Sequence, residues 1–340
     1  MSSTSRIPII DVSPLVTRSD DQDATATAIR KACTTQRFFY VVGHGVSEAL
    51  QERLEALSHR FFALDEKTKL TIRMELGGKA WRGYFPLGDE LTSGKPDLKE
   101  GLYFGAELGP EDPRVRAGVP LHGSNLFPEA LPELGDTVLE YMAAMTNLGH
   151  ALMRGIALSL RLAAEYFHDR YTAEPLTLFR IFHYPYVEPD PDAEEQWGVG
   201  EHTDYDVLTI LKQDDAGGLE VRSASRWIDA PPVPNSFVCN IGDMLDRMTR
   251  GYYRSNPHRV RNTSGRSRLS FPFFFDPNFE ATIEPIGLKE APIAPDNRDQ
   301  RWDHASVHEV QGTYGDYVLS KVSKVFPHLR RSEMDCPPQS

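Results

Sequence analysis

The chain has 340 residues, 40% of them hydrophobic, and carries 49 acidic against 37 basic side chains for a formal net charge of −12. That apolar content suffices for one sizeable core, and the acid excess excludes a general binder of phosphate backbones, which needs a basic surface to displace counterions. The three cysteines Cys33, Cys239 and Cys336 stand far apart with no C-x-x-C pair, and the start "MSSTSRIPIIDVSPL" has no basic n-region and no long apolar run. A cytoplasmic protein without a disulfide framework, a nucleic-acid partner or a membrane partner is expected.

In chain order, "IPIID" reads as a short strand and Asp20 to Lys31 as a polar-rich helix. "RFFYVVGHGV" reads as a buried strand stopped by glycines around His44. Ser47 is placed to cap a helix whose Leu50, Leu54, Leu57, Phe61, Phe62 and Leu64 recur at helical spacing. Gly77 to Pro128 is dense in glycine and proline and reads as loop, on the surface or over a site. Helical spacing returns from Leu134 to Phe167.

From Leu176 to Phe279 the grammar changes to short strands: "LTLFRIFHY", "VLTILKQ", "LEVRS", "WIDAP", "SFVCNI", "HRVRN" and "RLSFPFFF", joined by turns such as "DDAGG" and "RSAS". No helix-length segment separates most of them, so a sandwich or jelly roll is expected rather than a parallel sheet. A last helix is expected over roughly Val307 to Val325. The fold class is α+β with a mainly β core, a jelly roll flanked by N-terminal and C-terminal helices. Within one compact unit, residues 1–170 form a helical and strand region, 171–285 the core, 286–328 a linker and helix, and 329–340 a polar tail.

"GEHTDYDVLTIL" holds the only His-x-Asp of the chain, His202 and Asp204, at the mouth of an apolar run. Residues two apart on a strand share a face, so the pair can converge on one point. Alone it reads first as a histidine bonded to a carboxylate. A later β segment adds His258 in "SNPHRV". Two imidazoles and a carboxylate with open positions opposite form the facial triad of non-haem Fe(II) oxygenases, although zinc accepts the same ligands. Arg268 and Ser270 in "RSRLSFPFF" share a strand face, a rigid fork and a hydroxyl suited to anchoring one end of a dicarboxylate. The same triplet at Arg330 to Ser332 lies in the polar tail and reads as solvated. His304 and His308 have i, i+4 spacing without a third ligand, and His44 reads as a core histidine. Phe271, Phe273 and Phe275 alternate with Ser270, Pro272 and Phe274, so one set faces into the barrel and the other packs outside.

The sequence resembles the iron- and 2-oxoglutarate-dependent dioxygenases of the isopenicillin N synthase-like family over almost its whole length. "IPIIDVSPL" and "FFYVVGHGV" look like that family's opening strands, "EHTDYDVLTIL" like its metal strand, "NIGDMLDRMTRGYYRSNPHRV" like the segment bringing the second histidine, and "RLSFPFFFDP" like the cosubstrate strand. The resemblance implies a double-stranded β-helix with Fe(II) on His202, Asp204 and His258. It places 2-oxoglutarate on Arg268, Ser270 and Tyr184, the tyrosine of "FHYPYV". O2 is the other reactant, succinate and CO2 are released as a small molecule is hydroxylated, and ascorbate is a candidate reductant. An oxidase of the same family that uses no 2-oxoglutarate, a zinc hydrolase on a similar barrel and a non-catalytic binding protein are the alternatives. Three positions depart from the family: Gly43 where many members have asparagine, Asp206 where glycine is common, and "FHYP" in place of asparagine-tyrosine-tyrosine-proline. If Tyr184 faces the cosubstrate, Arg180 and Phe182 share its strand face and line a substrate pocket. Trp81 to Gly105 is expected to close over it, around an aromatic or heterocyclic acid.

Overall fold

The computed structural model describes residues 6–188, 197–223, 226–288, 294–301 and 303–326. The end of the "RSAS" turn, the Arg330–Ser332 triplet with its polar tail, and Cys336 lie outside the described residues. The elements in chain order are β1 (Ile9–Asp11), α1 (Ser13–Thr17), α2 (Gln22–Thr35), β2 (Phe38–Val42), α3 (Glu48–Phe62), α4 (Glu66–Leu70), β3 (Gly83–Phe85), β4 (Glu100–Gly105), α5 (Pro113–Arg116), α6 (Glu133–Ser159), β5 (Thr177–Tyr184), β6 (Val199–His202), β7 (Leu208–Gln213), β8 (Leu219–Ser223), β9 (Arg226–Asp229), β10 (Phe237–Ile241), α7 (Asp243–Met248), β11 (His258–Val260), β12 (Arg268–Phe275) and α8 (Tyr314–Val325).

Eight strands make one sheet in the order β1–β2–β10–β7–β12–β5–β4–β3, and four make a second in the order β6–β11–β8–β9. Following the chain from β5 to β12, it passes back and forth between the two sheets, returning to the larger one at β7, β10 and β12. That winding is the jelly roll of a double-stranded β-helix. β12 lies between β5 and β7, and its pairing with β5 skips Phe271 and Pro272 before resuming at Phe273 opposite Phe179. Proline has no N–H to give the ladder.

Long amphipathic helices cover the larger sheet. α6 lies against β7 and β12 and is packed in turn by α2 and α3. Its Gly149 admits the ring of Phe275, since a Cβ there would stand 2.3 Å from Phe275 Cδ2. Phe271, Phe273 and Phe275 are fully buried. One hydrophobic cluster runs from Ile7 to Phe326, so the N-terminal helices, the strands and α8 share a core.

The segment from Gly77 to Pro128 is less irregular than its composition suggests. It holds β3 and β4, and β4 pairs with β5 along its whole length, Glu100 opposite His183 through Gly105 opposite Leu178. Tertiary pairing overrides the local glycine and proline signals. The last helix begins at Tyr314 rather than near Val307, because Thr313 and Asp316 form a capping box that fixes its start. His304 is exposed, and His308 sits in a separate single turn, Val307–Glu309.

Candidate active site

β6 and β11 are antiparallel neighbours with His202 directly opposite His258. The ladder therefore delivers both imidazoles, whose ring centroids lie 4.2 Å apart. β6 ends at His202, so Asp204 comes from the turn beyond it and not from the strand face that period 2 suggests. The turn is held from outside: the Asp243 N–H donates to the Asp204 carbonyl at 2.8 Å and the Met244 N–H to that of Asp206 at 3.0 Å. The ligating atoms of His202, Asp204 and His258 all lie within 4.8 Å of one another, which no other His, Cys, Asp or Glu triplet does among the described residues.

Each imidazole has one nitrogen engaged. Nδ1 of His202 is 2.8 Å from the Gly200 carbonyl and Nδ1 of His258 is 3.3 Å from that of Asn256. The Nδ1–H tautomer that donates to those carbonyls leaves each Nε2 lone pair facing Asp204, at 3.6 and 3.7 Å from its oxygens. Burial, with His258 beside it, pushes the His202 imidazole down to about 4, so it is neutral at physiological pH. Burial works against the Asp204 carboxylate, but the imidazoles and hydrogen bonds from Asn240 (2.7 Å) and Thr209 (2.5 Å) hold it below the usual range. Two imidazoles and a carboxylate on one face suit a divalent metal.

The triad opens on a cavity of about 100 Å³ between the sheets, also lined by Tyr184, Arg268 and Ser270. Arg268 stands opposite Tyr184 in the β12–β5 ladder, and its guanidinium lies 4.7 Å over the Tyr184 ring. The Tyr184 hydroxyl meets Ser270 Oγ at 3.3 Å. Arg268 is 0% exposed; its Nε donates to the Gly217 carbonyl at 2.6 Å, while Nη1 and Nη2 have no partner. Two unpaired donors on a fully buried cation are the complement of a carboxylate, which fits the far end of 2-oxoglutarate.

Residues 7–130 match the non-haem dioxygenase in morphine synthesis N-terminal family, and residues 176–277 match the 2OG-Fe(II) oxygenase superfamily. A probable iron/ascorbate oxidoreductase of Dictyostelium discoideum is 49% identical over 96% of this chain and 96% of its own. The chain belongs to the 2OG-Fe(II) oxygenase superfamily. It is an Fe(II)- and 2-oxoglutarate-dependent dioxygenase that oxidises a small molecule. A 1-aminocyclopropane-1-carboxylate oxidase of Dictyostelium mucoroides is 38% identical over 95% of both chains. A full-length Neurospora crassa protein, solved in complex with alpha-KG and thymine, superposes with a TM-score of 0.77 at 27% identity, covering 95% of this chain and 98% of that one.

In this oxygenase Arg180 and Phe182 also line the cavity, on the same strand face as Tyr184. The Arg180 guanidinium is stacked between Tyr103 (4.1 Å) and Phe274 (4.7 Å). Its nearest acid is Glu90, at 3.7 Å, already engaged by Lys99 at 2.9 Å and by the Tyr103 hydroxyl. Arg180 Nε has no hydrogen-bond partner. Trp81 to Gly105 supplies Glu90, Thr92 and Lys99 to the cavity, and α8 closes another side with Tyr314, Val318, Val322 and Val325. Asp206 turns inward, its Oδ2 2.7 Å from the Thr209 hydroxyl that donates to Asp204, with its other oxygen unpaired. Burial, then Asp204 and Asp276 nearby, raise it well above the usual carboxyl range. His44 is buried away from this site with Nδ1 accepting from the Val46 N–H at 3.1 Å.

Sequence reasoning did not find Lys99, Glu90, Asn240, Asp276 or the wall made by α8. Lys99 and Glu90 belong to the segment read as loop, and nothing in a strand's period names its partner across a sheet.

Proposed function

We propose that His202, Asp204 and His258 hold Fe(II), that Arg268, Ser270 and Tyr184 hold 2-oxoglutarate, and that Arg180 and Phe182 face the substrate. The observation that carries this reading is Arg268, a buried cation with two unpartnered nitrogens in the same cavity as the triad. When bound, metal and cosubstrate supply the redox chemistry, consuming O2 and 2-oxoglutarate, releasing succinate and CO2, and oxidising a substrate C–H, most simply to an alcohol. The chain's own contribution is placement and exclusion of water. Neutral His202 offers its Nε2, Asn240 and Thr209 fix the rotation of the Asp204 carboxylate, and Val318, Val322 and Val325 make a dry wall.

Arg180 calls for a substrate with a carboxylate or a carbonyl, because it lies against two rings with its Nε donor unpaired. Phe182 and Phe274 add apolar surface that suits an aromatic or heterocyclic acid. In support, one relative is named for a carboxylate and one neighbour was solved with thymine, a ring bearing carbonyls. A cytosolic setting with no nucleic-acid or membrane partner completes the reading. The net charge of −12 supports the lack of a nucleic-acid partner. Ascorbate is included as reductant because one relative is named an iron/ascorbate oxidoreductase.

The test is anaerobic addition of Fe(II) and then 2-oxoglutarate, which should give a weak visible absorption band. His202→Ala and Asp204→Ala should each abolish it, and a band unchanged in both variants refutes the metal assignment. Succinate release across a panel of small acids and heterocycles then identifies the substrate.

A further inference from the structure

Asp204 is the one triad member that no β ladder holds, and the turn that carries it must be fixed by other contacts. Arg301 reaches that turn from the C-terminal segment. It is 5% exposed. Its Nη1 donates to Thr203 Oγ1 at 3.1 Å, between His202 and Asp204, and to Asp243 Oδ1 at 2.6 Å. Its Nη2 donates to Ser255 Oγ at 2.9 Å and to Asp246 Oδ2 at 3.4 Å. Ser255 in turn donates to Asp243 Oδ1 at 2.7 Å, and its own N–H is taken by Asp246 at 3.1 Å. One planar fork thus touches the turn holding Asp204 and the segment leading to His258, whose ring is fixed by the Asn256 carbonyl next to Ser255.

The same cluster also reaches the substrate wall. The Tyr317 hydroxyl of α8 donates to the second oxygen of Asp243 at 2.8 Å, and the Asp243 N–H is the donor that fixes the Asp204 carbonyl. Asp243, Asp246 and Ser255 are 0% exposed. Two buried carboxylates need a fixed cation, and a guanidinium reaches one oxygen of each while still reaching Thr203, which a lysine's point charge does not.

We propose that Arg301 is a positioning residue for the metal centre, holding the Asp204 turn in register with His258 through Thr203, Asp243 and Ser255, and tying both to α8. The proposal rests on the assignment of the triad as the metal site. Removing Arg301 outright strands Asp243 and Asp246 and risks the fold, so the decisive variants are Thr203→Val, which cuts only the bond to the turn, and Arg301→Lys, which keeps charge and loses the fork.

The readout is Co(II) affinity and its visible spectrum in the full-length protein, with His202→Ala as control and thermal unfolding measured alongside. Thr203→Val should bind Co(II) roughly fivefold more weakly and Arg301→Lys roughly tenfold or more, each with an altered spectrum. 2-Oxoglutarate affinity at saturating metal should stay at the wild-type level, because Arg268 is untouched. If Arg301→Lys does not fold, Thr203→Val decides alone. Wild-type Co(II) affinity and spectrum in Thr203→Val, whatever the melting temperature, overturn the proposal. If His202→Ala also retains wild-type metal binding, the triad assignment itself falls and not the role of Arg301 alone.

Discussion

Arg268 and Arg180 both sit in one cavity, yet their surroundings ask for different partners. Arg268 has a backbone carbonyl at Nε and nothing at either terminal nitrogen, an arrangement that folding alone gives no reason to bear. Arg180 has a carboxylate within 3.7 Å and two aromatic faces against its plane. Arg268→Ala should therefore lose a charged bidentate contact, about 1.5 to 3 kcal/mol, and weaken 2-oxoglutarate roughly ten- to hundredfold with iron affinity barely changed. Wild-type 2-oxoglutarate affinity in that variant would place the anchor elsewhere. Arg180→Met should show the converse, lower turnover of the true substrate with iron and 2-oxoglutarate binding intact. A folding defect with normal turnover would assign Arg180 to the Glu90 and Lys99 cluster instead.

At the scale of elements, the site hangs on a strand pair and on a turn locked against another turn. Gly242, between β10 and α7, is where they meet: a Cβ there would stand 2.0 Å from Asp206 Oδ1 and 2.2 Å from the Asp206 carbonyl oxygen. Gly242→Ala should push the 204–206 turn away, costing about 1 to 3 kcal/mol of stability and weakening metal binding. Asp206→Gly should not rescue it, because the backbone oxygen remains in the way. Full recovery in the double variant would show that only the carboxylate obstructs. The histidines and the Arg-x-Ser pair were legible in the sequence because ladders convert spacing into geometry. The core strands were legible because β-branched and aromatic runs mark buried strands. Asp204 was found for the wrong local reason, since its convergence comes from the turn after β6 and not from the strand's period. β3 and β4 were hidden by glycine and proline, which lower local propensity but cannot veto pairing with a long neighbour such as β5. Nothing near Arg301 in the chain announces partners 46 to 98 residues away, and such contacts become visible only once the fold has closed.

Over the whole molecule the acid excess continues into the interior. Glu90, Asp204, Asp206 and Asp276 face a cavity whose cations are Lys99, Arg180 and Arg268. Lys99 is committed to Asp97 and Glu90, and Arg268 makes its bonded contact to a carbonyl. Asp276 is left with the Tyr314 hydroxyl on one oxygen and no partner on the other. Burial raises it from 3.8 to about 7 and the charge of Asp204 adds to that, while the Tyr314 bond and Arg180 oppose it. An unfolded aspartate ionises near its ordinary 3.8 and the folded one near 7, so between those values the folded chain holds the extra proton and stability falls as pH rises. Below the lower value both states are protonated and the penalty vanishes. Asn cannot ionise, and through Oδ1 it keeps an acceptor for Tyr314. Denaturant unfolding of metal-free protein from pH 4 to pH 8 should therefore show wild type losing, relative to Asp276→Asn, an amount on the order of a few kcal/mol, concentrated in that window. Parallel curves for the two proteins would mean that Asp276 finds a compensating cation in the folded chain, and the cavity would then be less acidic than its lining implies.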